Sequence, residues 1–221
     1  LVGDDQQLAA VEAGGVLRDL KTEIGAVTLT ELMRFRNADE AAATLAVRDG
    51  DVQAIGFYLD NARVHLHDES TIADAVYTAW KADVDAGLSS LMLAYSNDLA
   101  TTLNERARTE RIEAGTVHGP STPLRSGLSA SAGDIIITRL NDRHLRLSAT
   151  DYVKNGDIFD VLAVTNDGSL QVRHRDTGRH VTLPARSGRR GGLTVGEHVD
   201  LGYAKTVHTA QGSNVDTSHS A

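Results

Sequence analysis

Apolar residues recur at two different spacings along the chain, and the change between these spacings divides it into two regions. In the first region, residues 71–86 carry Ile72, Val76 and Trp80 at intervals of three or four, which predicts an amphipathic helix. A buried strand is predicted over 89–95 and a further helix over 98–110. Strands that alternate with helices are typical of a parallel, doubly wound sheet.

The pattern before residue 71 is less regular. Asn37 followed by Glu40 has the spacing of a capping box, so we expect a helix to begin there and to continue to Val47. The other elements expected in this part are the end of a buried strand over 1–3, a short helix over 7–25 broken near Gly14 and Gly15, a strand over 26–30, a short helix over 52–59 and a short strand over 64–66.

From Asp134 to Pro184 the apolar residues alternate with polar ones, which predicts antiparallel strands. Asp167-Gly168 between two such strands is a hairpin signal. Residues 134–185 are therefore predicted to form a small antiparallel barrel or sheet, inserted into the α/β domain. The preceding segment, Gly115–Gly133, holds two of the three prolines and is predicted to be a linker. After the insertion, 199–203 is predicted to return to the first sheet as a strand, followed by a helix over 205–211.

Composition narrows the class of protein. The chain has 221 residues, no cysteine and a net charge of −8, so disulfides and thiolate metal sites are excluded. A reducing cytoplasm is the expected location, and no apolar run is long enough to span a membrane. The charge is uneven, because residues 125–190 hold 11 basic and 7 acidic side chains. A local basic region on an acidic protein indicates either a nucleic-acid contact or solvated arginines on exposed strands.

Two segments carry residues suited to phosphate chemistry. Gly3-Asp4-Asp5-Gln6-Gln7-Leu8 follows the first predicted strand and places a carboxylate and an amide at a strand end, where open α/β sheets bind nucleotides. The alternative is a polar turn that closes a strand. In the second segment, LGYAKTVHTAQG, Thr206 and His208 lie at the start of the predicted helix, where a hydroxyl, an imidazole and free N–H groups could hold phosphate oxygens.

These segments resemble conserved motifs of superfamily 1 DNA helicases. LVGDDQQLAAVEAGG resembles motif III and LGYAKTVHTAQGSNVD resembles motif V, in the branch that includes RecD and the TraA-type conjugative relaxase–helicases. Further blocks in family order are LMRF with LAVRDGD, LMLAYSNDLATTLNERAR, GDIIITRLNDRHL, DYVKNGDIFDV and DGSLQV. The resemblance implies a second RecA-like domain, preceded by the last strand of the first one. The implied boundaries are 1–25, 26–132, 133–192 for the insertion, and 193–221.

The resemblance also implies roles for particular residues. Gly3, Asp4 and Gln7 match the nucleotide-sensing turn, and Arg34 matches the arginine that reaches the γ-phosphate, with Arg36 as its competitor for that role. Gln211 and Gly212 match a turn near the nucleotide. The residues matched to single-stranded DNA contacts are Thr206, His208, Asn97, Asn104, Arg139 and Arg143. A structural hydrogen bond is the alternative for Asn104, and solvation is the alternative for Arg139, Arg143 and Arg146.

The implied activity is ATP-dependent translocation along single-stranded DNA during conjugative transfer, with Mg²⁺ and ATP as cofactors of the parent protein. The implied partners are single-stranded DNA and the first RecA-like and relaxase domains of the parent chain. No P-loop sequence occurs in the chain, so we expect it to lack ATPase activity alone. The alternative is a non-catalytic nucleic-acid-binding or assembly module. Paired histidines at 65 and 67 lack a third ligand at regular spacing, so no metal site is predicted.

Overall fold

The structure is a computed structural model of the chain, and it describes residues 16–27, 35, 37–210, 213 and 215–221. The chain divides into two compact units, Leu1–Leu66 and His67–Ala221. No described helix is both long and apolar enough to cross a membrane.

Three helices are described in the first unit: α1 (Val16–Ile24), α2 (Ala38–Arg48) and α3 (Ala54–Asp60). The predicted start of α2 is confirmed, because the Asn37 side chain accepts a hydrogen bond from the Asp39 backbone N–H at 2.9 Å. Glu40 takes part in an ion pair with Arg63 instead of closing a capping box. The strand predicted over 64–66 is wrong. This segment has no regular structure, and Leu66 is 96% exposed.

The second unit contains the long helices α4 (Glu69–Asp85) and α5 (Asn97–Glu113) and two four-residue helices, α6 (Val195–His198) and α7 (Val207–Ala210). Its strands are, in chain order, β1 (Ser90–Ala94), β2 (His118–Pro123), β3 (Ser129–Ala132), β4 (Ile135–Thr138), β5 (Asp142–Arg146), β6 (Tyr152–Val153), β7 (Ile158–Val164), β8 (Leu170–His174), β9 (His180–Leu183), β10 (Val199–Leu201), β11 (Ala204–Thr206) and β12 (Thr217–Ser220).

A parallel sheet lies at the centre of the α/β part, which confirms the predicted α/β class with a parallel sheet. Its order is β11-β1-β12, and both neighbours run parallel to β1. Met92 and Ala94 on β1 are fully buried, and Trp80 of α4 packs edge-on against Tyr203 at 6.0 Å between ring centres. The predicted apolar stripe of α4 is thus the face that packs on this sheet.

The remaining strands form antiparallel sheets. The largest has the order β10-β4-β7-β8-β9, and two-stranded sheets join β2 to β3 and β5 to β6. The predicted barrel is not confirmed, because none of the sheets formed by the described residues closes on itself. The predicted linker over 115–133 is wrong in part, since it contains β2 and β3. Buried Thr122, Leu124 and Ala130 anchor this polar hairpin.

The return to the parallel sheet occurs later than predicted. The segment Val199–Leu201 pairs with β4 in the antiparallel sheet. The chain joins the parallel sheet at Ala204–Thr206, which pairs with β1. The chain changes sheets at Gly202, where an added Cβ would lie 3.2 Å from backbone and side-chain atoms of Ile135 and Ile136. The side chain of Asn104 holds this corner, because its Oδ1 accepts hydrogen bonds from the backbone N–H groups of Tyr203 and Ala204, both at 3.0 Å.

A buried carboxylate ties the antiparallel strands to α5. Asp134 is fully buried and accepts hydrogen bonds from the Tyr203 hydroxyl at 2.7 Å, from Arg108 Nε at 3.0 Å and from the Ser131 N–H at 2.8 Å. Since Tyr203 leads into β11 and Arg108 belongs to α5, this network fixes the antiparallel strands relative to the parallel sheet. Helix α5 and the antiparallel strands are therefore held together by hydrogen bonds as well as by apolar packing.

Candidate nucleic-acid interface

A cavity of about 280 Å³ lies where α5, β11 and the antiparallel strands meet. Its walls come from the first two turns of α5, from the segments around Arg125 and Arg139, from β10 and from β11 with α7. Hydroxyls, amides and cations dominate the lining, which is the set of groups that proteins use to contact phosphates.

The α5 wall begins at Asn97, the first residue of that helix, which is exposed. Thr101 follows one turn later, and its hydroxyl donates to the Asn97 carbonyl oxygen at 2.9 Å. Asn104 comes next on the same face and is only 7% exposed. Its Nδ2 donates to the carbonyl oxygens of Ala100 and Ala204, at 2.8 and 3.0 Å.

The hydrogen bonds of Asn104 are those of the structural alternative, and a contact between Asn104 and DNA stays a prediction. Its amide nitrogen donates twice and its amide oxygen accepts twice, all to backbone groups. These four bonds use both N–H groups and both lone pairs of the side chain. We therefore leave Asn104 out of the set of DNA contacts proposed below.

Two arginines form the second wall and share one carboxylate. Arg125 donates to Asp200 Oδ2 through Nε at 3.0 Å and Nη2 at 2.7 Å, and Arg139 donates to the same oxygen through Nε at 2.9 Å. The carboxylate thus takes up two of the five N–H groups of Arg125 and one of the five of Arg139. It also holds both guanidinium groups in fixed positions, which lowers the entropy lost when they bind a ligand.

The third wall contains Thr206 and Thr209, whose hydroxyl oxygens lie 3.1 Å apart. Thr206 ends β11, in register with Ala94 of β1, so its hydroxyl stands at the carboxyl edge of the parallel sheet. Lys205 also lines the cavity, and its side chain is 1% exposed. Burial lowers the pKa of the Lys205 ammonium to about 8, and the nearby charge of Arg139 contributes in the same direction.

The charge of the cavity is opposite in sign to that of the whole chain. Arg125, Arg139 and Lys205 supply three cations, and Asp200 is the one carboxylate among the described lining residues. The chain as a whole has a net charge of −8. A polyanion is therefore attracted to this cavity in preference to most of the remaining surface.

Among the residues predicted to contact DNA, the cavity collects Asn97, Arg139 and Thr206, together with the already bonded Asn104. It does not include Arg143, which is exposed on β5 with its guanidinium 5.7 Å from the centre of the Tyr152 ring. His208 is exposed on α7 and is not one of the described lining residues. DNA contacts by Arg143 and His208 stay predictions.

All predicted nucleotide contacts lie outside the described residues: Gly3, Asp4, Gln7, Arg34, Gln211 and Gly212. The same holds for Arg36. The sites for ATP and Mg²⁺ therefore stay predictions. In the part of the chain that is described, no group of three or more His, Asp or Glu side chains is placed to hold a metal ion.

The sequence patterns missed six polar or charged residues of the cavity: Arg125, Ser126, Asp200, Thr101, Thr209 and Lys205. Thr101 lies four residues after Asn97, and this helical spacing was a usable signal. Arg125 lies in the segment predicted to be a linker. Its position depends on Asp200, which follows 75 residues later, so no local pattern could have indicated it.

Comparisons with known proteins show which proteins this chain is similar to. A family model described as an AAA domain matches residues 1–69. The conjugal transfer protein TraA of Agrobacterium fabrum is 34% identical over 224 residues, which are 98% of this chain and 19% of that protein. TraA of Rhizobium radiobacter is 32% identical over the same shares of each chain. The RecD subunit of the RecBCD enzyme of Mycolicibacterium smegmatis is 28% identical over 98% of this chain and 38% of its own length.

The chain thus spans about a fifth of the TraA proteins and less than two fifths of RecD. The match extends over both the α/β part and the antiparallel strands, so it is not confined to the short motifs. The resemblance indicated by those motifs is confirmed: the chain is a homologue of the TraA conjugal transfer proteins and of RecD, which is consistent with a RecD-like region of TraA.

Proposed function

We propose that this chain is part of an ATP-dependent translocase that moves along single-stranded DNA in conjugative transfer, and that the cavity binds the sugar-phosphate backbone of the strand. The names of the relatives connect the family to conjugal transfer and to the RecBCD enzyme. The observation that carries the proposal is the convergence of Asn97, Arg139 and Thr206 with Arg125 in one cationic cavity. The proposed domain boundaries are those implied by the motifs.

The chemistry of the cavity suits a phosphodiester chain better than a base. Guanidinium groups and hydroxyls donate hydrogen bonds to phosphate oxygens irrespective of sequence. A base would need an aromatic platform, and no aromatic side chain is among the described lining residues. The cavity is therefore expected to bind single strands with little sequence preference.

In the parent protein, hydrolysis of ATP with Mg²⁺ would drive translocation along the strand. Gln7 and Arg34 are the proposed sensors of the nucleotide. Since the chain lacks a P-loop sequence, we expect no ATP hydrolysis by the 221-residue chain alone. Cytoplasmic location and contact with a first RecA-like domain and a relaxase domain belong to the same proposal.

Fluorescence anisotropy with a labelled single-stranded oligonucleotide tests the binding step. Arg125→Gln removes one cation while Arg139 still pairs with Asp200. The plot of the logarithm of the association constant against the logarithm of the salt concentration has a negative slope, which should become less steep by about 0.7. Thr206→Val removes a hydroxyl without changing charge, and should weaken binding several-fold at an unchanged slope.

Arg173→Gln is the matched control, because Arg173 is exposed on β8 and pairs with Asp160 outside the cavity. It should leave both affinity and slope unchanged. If the wild-type chain does not bind the oligonucleotide, or if Arg125→Gln and Arg173→Gln behave alike, the cavity is not the strand-binding site. Binding without ATP-driven movement by the full-length parent would favour the non-catalytic binding module instead.

A further inference from the structure

Lys205 is an unusual residue for its position on the parallel sheet. It pairs in register with Leu93 in the middle of β1, and strands of parallel sheets are normally apolar because both faces are covered. Its side chain is 1% exposed. Its ammonium has one hydrogen-bond acceptor among the described residues, the hydroxyl oxygen of Ser213 at 3.1 Å.

This environment leaves the ammonium poorly compensated. An ammonium carries three N–H donors, and a buried charge is costly unless it is paired. Within the described ranges, the Lys205 ammonium bonds the Ser213 hydroxyl and forms no ion pair with a carboxylate. Two charged groups affect the pKa of Lys205. Arg139 lowers it, and Asp176 raises it without a direct contact. A partner that brings negative charge would remove this deficit.

The cavity offers a route for such a partner. Lys205 lines it together with Arg125 and Arg139. The one carboxylate among the described lining residues, Asp200, bonds both arginines through Oδ2, and its buried Oδ1 has no hydrogen-bond partner, so it makes no bond to the Lys205 ammonium. The missing negative charge is therefore not supplied by the cavity walls. A phosphodiester held by the arginine N–H groups would bring its charge close to the Lys205 ammonium.

We propose that Lys205 is a further strand-binding residue, whose ammonium contacts a backbone phosphate of the single strand bound in the cavity. The proposal rests on the proposed strand-binding function. It assigns to Lys205 a charge contact that is distinct from the hydroxyl contact of its neighbour Thr206. It also accounts for a cation in a strand position where an aliphatic side chain would pack at lower cost.

The salt dependence of oligonucleotide binding by the 221-residue chain tests this contact. Lys205→Met keeps the length of the side chain and removes the charge. Each phosphate contact to a single strand makes the negative slope of log K against log salt steeper by about 0.7, so in this variant the slope should become less steep by about this amount. The affinity at low salt should fall about tenfold.

Ser213→Ala separates a phosphate contact from a purely structural role of Lys205. This variant removes the described acceptor of the ammonium but keeps the charge, so its salt slope should equal that of the wild type. If Lys205 acts only by tethering Ser213, both variants should weaken binding equally, with unchanged slopes. That result would overturn the proposal.

Two further outcomes are decisive. If the wild type binds the oligonucleotide and Lys205→Met binds with the same affinity and slope, the Lys205 contact is refuted while the proposed function stands. If the wild type does not bind, the proposed function and the Lys205 contact both fail. Inorganic phosphate added at constant ionic strength separates a free phosphate from a strand. Displacement of the oligonucleotide by phosphate at a concentration similar to that of the strand would overturn the assignment to a strand.

Discussion

Replacing Lys205 with methionine should stabilise the fold, although it removes a hydrogen bond. Lys205 is buried on β11, and its ammonium has a pKa of about 8 instead of the usual 10.5. Burial is the largest cause of this shift. The folded protein thus holds a charged group at pH 7 in surroundings that disfavour its charge, and methionine fills a similar volume without that charge.

The pKa difference sets the size of the effect. One pKa unit corresponds to about 1.4 kcal/mol, so a fall from 10.5 to about 8 means that the charge costs about 3 kcal/mol at pH 7. The lost hydrogen bond to Ser213 offsets about 1 kcal/mol. Lys205→Met should therefore raise the free energy of unfolding by about 2 kcal/mol.

The sign of the pH dependence follows from proton binding. Between pH 8 and 10.5 the unfolded lysine binds its proton and the folded one releases it, so the wild type gains stability as pH rises through this window. The methionine variant lacks this gain. Its advantage should therefore be largest below pH 8 and should nearly vanish by about pH 10.

Urea unfolding at pH 7 and at pH 10 measures both values, with an unchanged m-value as the check on two-state behaviour. Lys81→Met is the control, because Lys81 is exposed on α4 and pairs with Asp85 at 2.8 Å. It should change stability by less than about 0.5 kcal/mol at either pH. A Lys205→Met variant that is less stable than the wild type at pH 7 would refute the reasoning about its burial.

Three further substitutions test the corner that supports the cavity, each by urea unfolding. Asn104→Leu removes four hydrogen bonds to the backbone and should cost about 3 kcal/mol; no loss would show that this amide is not the latch of the corner. Gly133→Ala should cost more than about 2 kcal/mol, because φ is +90° and the new Cβ would overlap the Thr116 carbonyl oxygen, and a neutral result would contradict this geometry. Asp134→Asn leaves the Arg108 guanidinium without its carboxylate and should cost about 3 kcal/mol, whereas an unchanged stability would mean that the network is not needed.

The elements that the sequence predicted correctly are those with a local period. The helix over Glu69–Asp85 and the strand over Ser90–Ala94 follow from apolar spacing within each element. The sheet to which Val199–Leu201 belongs does not follow from its own residues, since an apolar segment of this kind fits either sheet. The choice depends on the close approach at Gly202 and on Asn104, which lies about 100 residues earlier in the chain.

The same distinction applies to the candidate site. Thr206 was identified because it lies in a segment that resembles a known motif, and the structure places it in the cavity. The segment of β2 and β3 is predicted to be a linker because it holds two of the three prolines with several Ser and Gly residues. Its two strands are held by pairing with each other and by a few buried small side chains, and neither contribution leaves a periodic signal. Arg125, which follows this hairpin's first strand, was missed with it.

The position of the cavity explains why the antiparallel strands matter to the proposed function. The hydroxyl and amide groups of Thr206 and Asn97 come from the parallel-sheet part, whereas the cations Arg125 and Arg139 come from segments next to β2, β4 and β10. Hydroxyls alone would give a weak site on a chain with a net charge of −8. The arginines make the charge of the cavity positive, and their shared hydrogen bonds to Asp200 hold both guanidinium groups at the cavity wall. The antiparallel part therefore supplies two of the three cations that attract a polyanion, and the parallel sheet supplies Lys205 and the groups that position the backbone of the strand.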